Sequence, residues 1–211
     1  MNLYIYLIIV FLLGGIPFGL VVCYLSGKGD IRKLGSGNIG ATNVWRVAGA
    51  VPALFVFAGD IGKGAAAVLL TGLAYRSSWP VGQSTAALAA GLLAVLGHVF
   101  SPYVGFRGGK GVNTALGAFL SLLPVETGIA IVIFVIVTAL FRYVSLGSIC
   151  SVLAFLSILL LERYLLDKPI SSLIVGAAML LTGLIMYSHR QNIRRLIDGT
   201  EHRLQMRRSA S

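Results

Sequence analysis

Two glycine-rich passages contain the residues of this sequence that are best suited to binding an anion. The passages are "GSGNIGATNVWR" (residues 35–46, the first glycine loop) and "FRGGKGVNT" (residues 106–114, the second glycine loop). Glycine lets successive backbone N–H groups point into one concavity, and a helix that begins just afterwards adds the positive end of its dipole. Both passages also contain cationic side chains, so together they predict phosphate binding.

Each glycine loop supplies several candidate ligands. Arg46 and Lys110 are the cations, and an arginine guanidinium can contact two phosphate oxygens at once. Thr42 or Asn43 could cap a helix that follows the first loop. "GGKG" lacks the Ser or Thr that follows the lysine of a P-loop, which disfavours nucleoside triphosphate hydrolysis. The remaining candidates are small polar residues and glycines: Ser36, Gly37, Asn38, Thr42, Asn43, Gly108, Gly109 and Thr114.

Three further ionisable residues lie in apolar segments. Asp60 and Lys63 in "AGDIGKGAAA" are about one helical turn apart, and charged groups in a membrane span usually pair or serve a site because they are costly. They form either a neutral pair that locks helices together or an arrangement in which Asp60 holds Lys63, or a neighbouring basic residue, against a substrate. His98 ends its segment beside "FSP", where it is either a helix-end hydrogen-bonding residue or a general base.

The elements that must position these residues are membrane helices. The chain of 211 residues is 57% hydrophobic and only 11% charged, which is typical of a polytopic membrane protein. Apolar runs cover residues 3–25, 51–75, 83–100, 125–141, 146–161 and 170–187, and most reach the roughly 17 to 25 residues that cross a bilayer as a helix. Segment 112–122 would span only about 16 Å. We predict an all-α protein with seven transmembrane helices; five helices plus a re-entrant hairpin are the alternative.

The distribution of basic residues predicts the orientation of these helices. Residues 26–48, 102–111, 142–145 and 188–211 hold 13 of the 17 Lys and Arg, and seven crossings place all four segments on one side. The positive-inside rule then puts the N-terminus outside and the C-terminus in the cytoplasm. The net charge of +10 is explained by this topology and by anionic lipid heads, so we predict no nucleic-acid partner.

The organisation of the chain is simple. No linker or composition break separates its parts, so residues 1–211 are read as a single domain in which 189–211 form a basic cytoplasmic tail. Cys23 and Cys150 lie alone in apolar segments, and carboxylates and histidines do not cluster. We therefore predict no metal site and no cofactor.

Six motifs spread from Gly14 to Glu201 resemble one known family. They are "GGIPFG", "GSGNIGATNVWR", "DIGKG", "GHVFSPYVGFRGGKGVNTALG", "VSLGS" and "HRQNIRRLIDGTE". In order and content they are similar to the bacterial membrane-integral glycerol-3-phosphate acyltransferases that use acyl phosphate. The resemblance implies transfer of a fatty acyl group to the 1-hydroxyl of glycerol 3-phosphate, giving lysophosphatidate and phosphate. It further implies a multi-pass protein of the bacterial inner membrane, in contact with lipids, with its site on the cytoplasmic face. We expect a monomer.

On this interpretation the candidate residues take separate roles. Lys110, Arg46 and the glycine amides would hold the phosphate of the donor, and Ser36 and His98 complete the predicted catalytic set. Glycerol 3-phosphate would be bound by Lys63, Ser145, Asn192 and Arg195, with Asp60 and Glu201 in support. The proton of the attacking hydroxyl would pass to His98 or to a substrate phosphate oxygen, and the scarcity of carboxylates favours the second route.

Two other functions fit parts of the sequence. A transporter for a phosphorylated solute would also use anion-binding loops and charges inside the membrane, although transporters usually show repeated halves and a site at the midplane. Here the polar segments fall at one edge, and no long-range repeat is visible. A lipid-scaffolding protein would leave Asp60, Lys63 and both glycine loops without a role.

Overall fold

The computed structural model describes residues 1–204, and these form ten α-helices with short 3-10 turns at Ile31–Lys33 and Pro102–Val104. The last seven residues of the predicted tail 189–211 lie outside the described residues. Two compact units divide the chain: Met1–Pro124, and the part that begins at Val125. The first contains α1 (Leu3–Gly15), α2 (Phe18–Leu25), α3 (Ala41–Ala48), α4 (Ala50–Ala74), α5 (Gln83–Val99) and α6 (Val112–Leu122). The second contains α7 (Pro124–Phe141), α8 (Val144–Tyr164), α9 (Ser172–Ser188) and α10 (Arg190–Ile197).

The helices agree with the prediction of an all-α membrane protein. Four segments of the described chain are long and apolar enough to cross a bilayer: α4, Gln83–Val104, α7 and α8. Two bent pairs, α1 with α2 at 43° and α9 with α10 at 59°, raise the count to six if each pair is one span. α6 is shorter, with 11 residues. The exact number of crossings and the placement of the termini therefore stay predictions.

The first unit packs around α4. A Cβ at Gly64 would clash with the backbone of Thr114, and a Cβ at Gly117 would clash with the backbone of Ile61. Small residues of this kind let membrane helices approach each other closely. α6 is thus held against the middle of α4, next to the turn that contains Asp60 and Lys63.

The break between α1 and α2 follows from Pro17, which has no N–H to continue a helical ladder. At the far end of α1, the Tyr6 hydroxyl donates to the carbonyl of Ala67 at 2.7 Å and lies 2.9 Å from the Thr71 hydroxyl. The N-terminal half of α1 is therefore bonded to α4. The break between α1 and α2 lies beside the site described below.

The second unit is fixed by polar contacts at both ends of α8. At its C-terminal end, buried Glu162 forms an ion pair with Lys168, and Arg163 donates to the Ile170 carbonyl and the Ser172 hydroxyl. α9 packs along α8, and α10 contacts both. The N-terminal end of α8 therefore lies beside α10.

Candidate active site

Asn43 organises the first glycine loop. Its Oδ1 accepts the N–H of Ser36 at 2.8 Å, and its Nδ2 donates to the carbonyls of Leu34 at 3.0 Å and Asn38 at 2.8 Å. The side chain is almost fully buried, so it shapes the loop and is not an open donor for a ligand. Gly37 has a φ of 72°, a left-handed conformation that favours glycine.

The start of α3 differs from the sequence-based prediction. We expected Thr42 or Asn43 to cap this helix, but the N-cap is Gly40 and no side chain caps it. The Oδ1 of Asn38 accepts the Gly40 N–H at 2.8 Å, which shapes the approach to the helix. The prediction was wrong because Asn43 folds back over the loop, and Thr42 falls in the first turn. Ser36 and Arg46, which lies in the last turn of α3, are exposed.

The second glycine loop is tied to the end of α5. The N–H of Gly108 donates to the Val99 carbonyl at 3.0 Å, and the N–H of Gly109 donates to the His98 carbonyl at 3.1 Å. These two amides are therefore occupied by protein carbonyls. α6 then begins after Gly111, whose φ is 87°, and no side chain caps the helix. Half-buried Lys110 stands immediately before this uncapped start, and the Thr114 side chain is buried in the first turn.

Lys63 is enclosed by protein on all sides. Its Nζ lies 2.8 Å from Oδ1 of Asp60 and donates to the Ile16 carbonyl at 2.8 Å, at the break between α1 and α2. The ring of Phe18 lies 5.6 Å from the same ammonium. Only 1% of the Lys63 side chain is exposed, so the ammonium meets other protein groups and not an open cavity.

His98 lies on the other side of Asp60. Its Nδ1 is 3.4 Å from the carboxylate Oδ1 that contacts Lys63, and 5% of its side chain is exposed. The opposite edge of the imidazole faces Gly109, where a Cβ would clash with Nε2. Nδ1 of His98 is thus directed at Asp60, and Nε2 lies against the backbone of Gly109.

A second polar cluster lies in the other unit around Glu201. The carboxylate accepts hydrogen bonds from the Ser145 hydroxyl at 2.8 Å, from Nδ2 of Asn192 at 2.7 Å and from Nε of Arg195 at 2.7 Å. Burial alone would raise the pKa of Glu201, but these hydrogen bonds outweigh it and hold the pKa below its usual value. The charged form is therefore the stable one at neutral pH. The structure brings together Ser145, Asn192 and Arg195, three of the four residues predicted to bind glycerol 3-phosphate, around the supporting residue Glu201. The fourth, Lys63, belongs to the first unit.

The segment after α10 contributes contacts that the sequence analysis missed. The N–H of Leu204 donates to the Arg142 carbonyl at 2.7 Å, and Nε of Arg203 donates to the Tyr143 hydroxyl at 2.9 Å. Both contacts join this segment to the α7–α8 turn. The only sequence signal was the motif "GTE" that ends in Glu201.

Ser101 was also missed. Its hydroxyl is fully buried and donates to the carbonyl of Gly15 at 2.6 Å, next to the Ile16 carbonyl that Lys63 reaches. Its sequence signal was a serine directly before Pro102, at the end of an apolar run.

Among residues 1–204, no group of three His, Cys, Asp or Glu side chains could hold a metal ion.

Fold and clusters together define an all-helical membrane protein with buried polar groups in each of its two units. A model of the family "Glycerol-3-phosphate acyltransferase" matches residues 4–199, and the chain belongs to this family. The acyltransferase of Syntrophomonas wolfei is 41% identical over 202 residues, which cover 94% of this chain and 95% of the relative. That of Leptospira borgpetersenii is 42% identical over 207 residues, which cover 95% and 91%. The resemblance drawn from the motifs is confirmed.

Two solved structures have the same fold. Both are crystal structures of PlsY (YgiH), an integral membrane glycerol 3-phosphate acyltransferase. Its glycerol 3-phosphate form matches with a TM-score of 0.85 and 34% identity over 96% of both chains. Its lysophosphatidic acid form matches with a TM-score of 0.82 and 33% identity over 95% of this chain and 94% of that one.

Proposed function

We propose that this protein transfers a fatty acyl group from acyl phosphate to the 1-hydroxyl of glycerol 3-phosphate, giving lysophosphatidate and inorganic phosphate. The observation that carries the proposal is the match over 96% of both chains to PlsY in its glycerol 3-phosphate form, joined by the match to its lysophosphatidic acid form. Those two molecules are the acceptor and the product of the proposed reaction. The curated relatives named above carry the same activity in their names.

The donor phosphate is assigned to the second glycine loop. The amides of Gly108 and Gly109 already donate to α5 carbonyls, so the anion would meet Lys110 and the uncapped start of α6 instead. A helix N-terminus and an adjacent ammonium both stabilise phosphoryl oxygens. Arg46 and the hydroxyl of Ser36 would add the second cation and a further donor. The N–H of Gly37 already donates to the Leu34 carbonyl at 3.0 Å, so Gly37 would shape the loop and not bind the anion. The uncapped start of α3 offers a similar helix N-terminus.

The acceptor phosphate is assigned to the cluster around Glu201. Arg195 uses its Nε for Glu201, which orients the guanidinium so that its terminal nitrogens can meet phosphate. Ser145 and Asn192 are oriented by the same carboxylate. Lys63, in contrast, is enclosed by Asp60 and the Ile16 carbonyl, and its proposed role changes from substrate binding to support.

The chemistry needs orientation more than activation. An acyl phosphate is a mixed anhydride, so the 1-hydroxyl oxygen of the acceptor can attack the carbonyl carbon without a covalent enzyme intermediate. The carbon–oxygen bond to phosphate breaks, and the phosphate leaves with the bonding pair. Lys110 and Arg46 would stabilise this leaving charge. The proton passes to a phosphate oxygen, since the His98 ring is packed between Asp60 and Gly109.

The membrane setting suits the two substrates. The fatty tail stays in the bilayer, where each buried methylene contributes about 0.8 kcal/mol, while the phosphate-binding groups lie at the cytoplasmic face of the bacterial inner membrane. A single 211-residue domain with seven crossings, acting as a monomer, would suffice. The N-terminus would lie outside and the basic tail in the cytoplasm.

The test uses purified, detergent-solubilised protein with radiolabelled glycerol 3-phosphate. Label should move into an organic-extractable product only when acyl phosphate is added. Lys110→Ala should abolish this conversion, whereas Lys28→Ala, in an exposed turn, should leave it unchanged. Uptake of label into vesicles without conversion would instead establish a transporter and refute the proposal.

A further inference from the structure

The charged residues of the second unit are divided unequally between its two ends. Among residues 125–204, the end that contains the α7–α8 turn and α10 has five arginines and two carboxylates, whereas the other end has two cations and three carboxylates. An excess of positive charge where membrane helices end attracts anionic lipid. Four of the five arginines are exposed, and we call these four the basic rim: Arg142, Arg190, Arg194 and Arg203.

The two carboxylates at this end do not neutralise the basic rim. Glu201 is buried and paired with Arg195, which is not part of the rim. Asp198 lies 3.8 Å from Nε of Arg194, whose side chain is 86% exposed. None of the other three rim arginines forms an ion pair with a carboxylate of residues 1–204. The rim therefore presents a net positive charge at its surface.

Two of the rim arginines are held in place by tyrosines. The guanidinium of Arg190 lies 4.2 Å from the centroid of the Tyr187 ring, and its Nη1 donates to the Tyr187 carbonyl at 2.9 Å. The guanidinium of Arg203 lies 5.4 Å from the centroid of the Tyr143 ring, and its Nε donates to the Tyr143 hydroxyl at 2.9 Å. A guanidinium has five N–H donors, so both arginines keep donors for phosphate oxygens. Because both guanidinium groups are already oriented, binding phosphate orders little further side chain.

Apolar side chains are exposed next to these arginines. Phe141, directly before Arg142, is 56% exposed, and Ile197 in the last turn of α10 is 80% exposed. Such a surface fits the headgroup region of a bilayer, where apolar groups enter the acyl region and guanidinium groups stay at the level of the phosphates. The exposed apolar side chains favour a lipid over an acidic soluble protein as the partner.

The basic rim is also joined to the segment that supplies Glu201. Arg203 follows Glu201 by two residues, and both Arg203 and Leu204 contact the α7–α8 turn. Residues 199–204 form no helix, so their position depends on contacts of this kind. A ligand that holds the Arg203 guanidinium beside the turn would also hold the segment that contains Glu201.

We propose that the basic rim binds the phosphate groups of anionic phospholipids, and that this binding holds residues 199–204 against the α7–α8 turn. The partner is a lipid of the leaflet that adjoins the rim, and it takes no part in acyl transfer. The inference goes beyond the proposed function and does not depend on which substrate the cluster around Glu201 binds.

The test compares two lipids of different charge on the purified full-length protein in detergent. Phosphatidylglycerol is anionic, whereas phosphatidylcholine with the same acyl chains carries a phosphate but no net charge. At about 100 times its dissociation constant, phosphatidylglycerol should raise the melting temperature by roughly 5–11 °C, and phosphatidylcholine should raise it by less than about 2 °C. Salt at about 1 M should reduce the effect of phosphatidylglycerol, because the screening length falls to about 3 Å.

Three double variants separate the rim from the charge of the whole protein. In Arg190→Gln/Arg203→Gln, the dissociation constant fitted to the dependence of the melting temperature on phosphatidylglycerol should rise roughly 30-fold, about fivefold for each arginine. Lys28→Gln/Lys33→Gln is the matched control, since it removes two exposed charges from the first unit, and it should change this constant by less than about threefold. Arg190→Lys/Arg203→Lys keeps both charges and should retain most of the affinity, although the contacts with tyrosine are lost.

The outcomes that overturn the inference are distinct from failure of the proposed function. Equal losses of affinity in the two glutamine double variants would show that net charge alone attracts lipid. Equal responses to both lipids, or a rise in melting temperature with polyglutamate but not with phosphatidylglycerol, would also overturn it. If Arg190→Gln/Arg203→Gln does not fold, Arg194→Gln at its exposed position supplies the test, with an expected loss of about fivefold. None of these measurements requires acyl transfer.

Discussion

Replacing Glu201 with Gln should raise the KM for glycerol 3-phosphate as well as lower the melting temperature. The variant keeps the shape of the side chain, and its amide oxygen can still accept from Ser145 and Asn192. Nε of Arg195, however, then faces an amide NH₂, so a hydrogen bond of 2.7 Å between two charged groups is lost. Such a bond contributes about 1.5–3 kcal/mol.

This loss has two measurable consequences. At about 2–4 °C per kcal/mol for a chain of this size, the melting temperature should fall by roughly 3–12 °C. If the lost free energy appears as disorder of the Arg195 guanidinium, the KM for glycerol 3-phosphate should rise by about 10-fold to 100-fold, since each 1.4 kcal/mol is a factor of ten. The KM for acyl phosphate should stay near the wild-type value.

The assay combines thermal unfolding in detergent with steady-state kinetics in which each substrate is varied. Glu162→Gln is the matched control, because Glu162 is also buried and paired, with Lys168, at the opposite end of α8. It should lower the melting temperature without changing either KM. If Glu201→Gln alters the KM for glycerol 3-phosphate no more than Glu162→Gln does, Glu201 has no part in the acceptor site.

Three further predictions follow from single contacts. The folded pKa of Glu201 lies below its ordinary value of 4.5, so its charge stabilises the fold above that pH, and this contribution is lost as pH falls through the folded pKa. Between about pH 5 and pH 3 the melting temperature should therefore decrease less for Glu201→Gln than for the wild type. Gly109→Ala would push a methyl group into His98 and should reduce activity at least about tenfold, whereas Gly62→Ala, which meets nothing, should retain it; equal activities would contradict the packing argument. Asn43→Ala leaves three loop groups without their partner and should lower the melting temperature and raise the KM for acyl phosphate; an unchanged melting temperature would show that Asn43 does not hold the loop.

Composition and motif order predicted the helical architecture and several of the residues that meet in space, but the contacts do not test what each residue does there. Long apolar runs in a bilayer predict helices because a helix satisfies every backbone hydrogen bond within its own segment. The observed α4, α7 and α8 agree with the predicted segments within a few residues. Ser145, Asn192, Arg195 and Glu201 were selected from motifs and do form one cluster. Their roles in binding a substrate stay predictions.

The errors and omissions concern contacts that sequence spacing does not encode. Lys63 reaches a carbonyl 47 residues away, and Ser101 reaches one 86 residues away, both at a break whose open carbonyls only the folded chain reveals. Glycine content alone also does not show which N–H groups already have partners, as Gly108 and Gly109 do. Asn43 was predicted as a ligand or a cap because its fold-back over its own loop cannot be read from residue type.

The spacing of Asp60 and Lys63 on α4 has a consequence for how the protein is made. Each charge alone would oppose entry of the segment into the lipid by about 2.5–3.5 kcal/mol. Because the two groups are one turn apart and 2.8 Å from each other, the counter-ion travels on the same helix and needs no neighbour to be present first. The segment can therefore enter the bilayer already neutralised, without first requiring the contacts with the Ile16 carbonyl and the His98 ring.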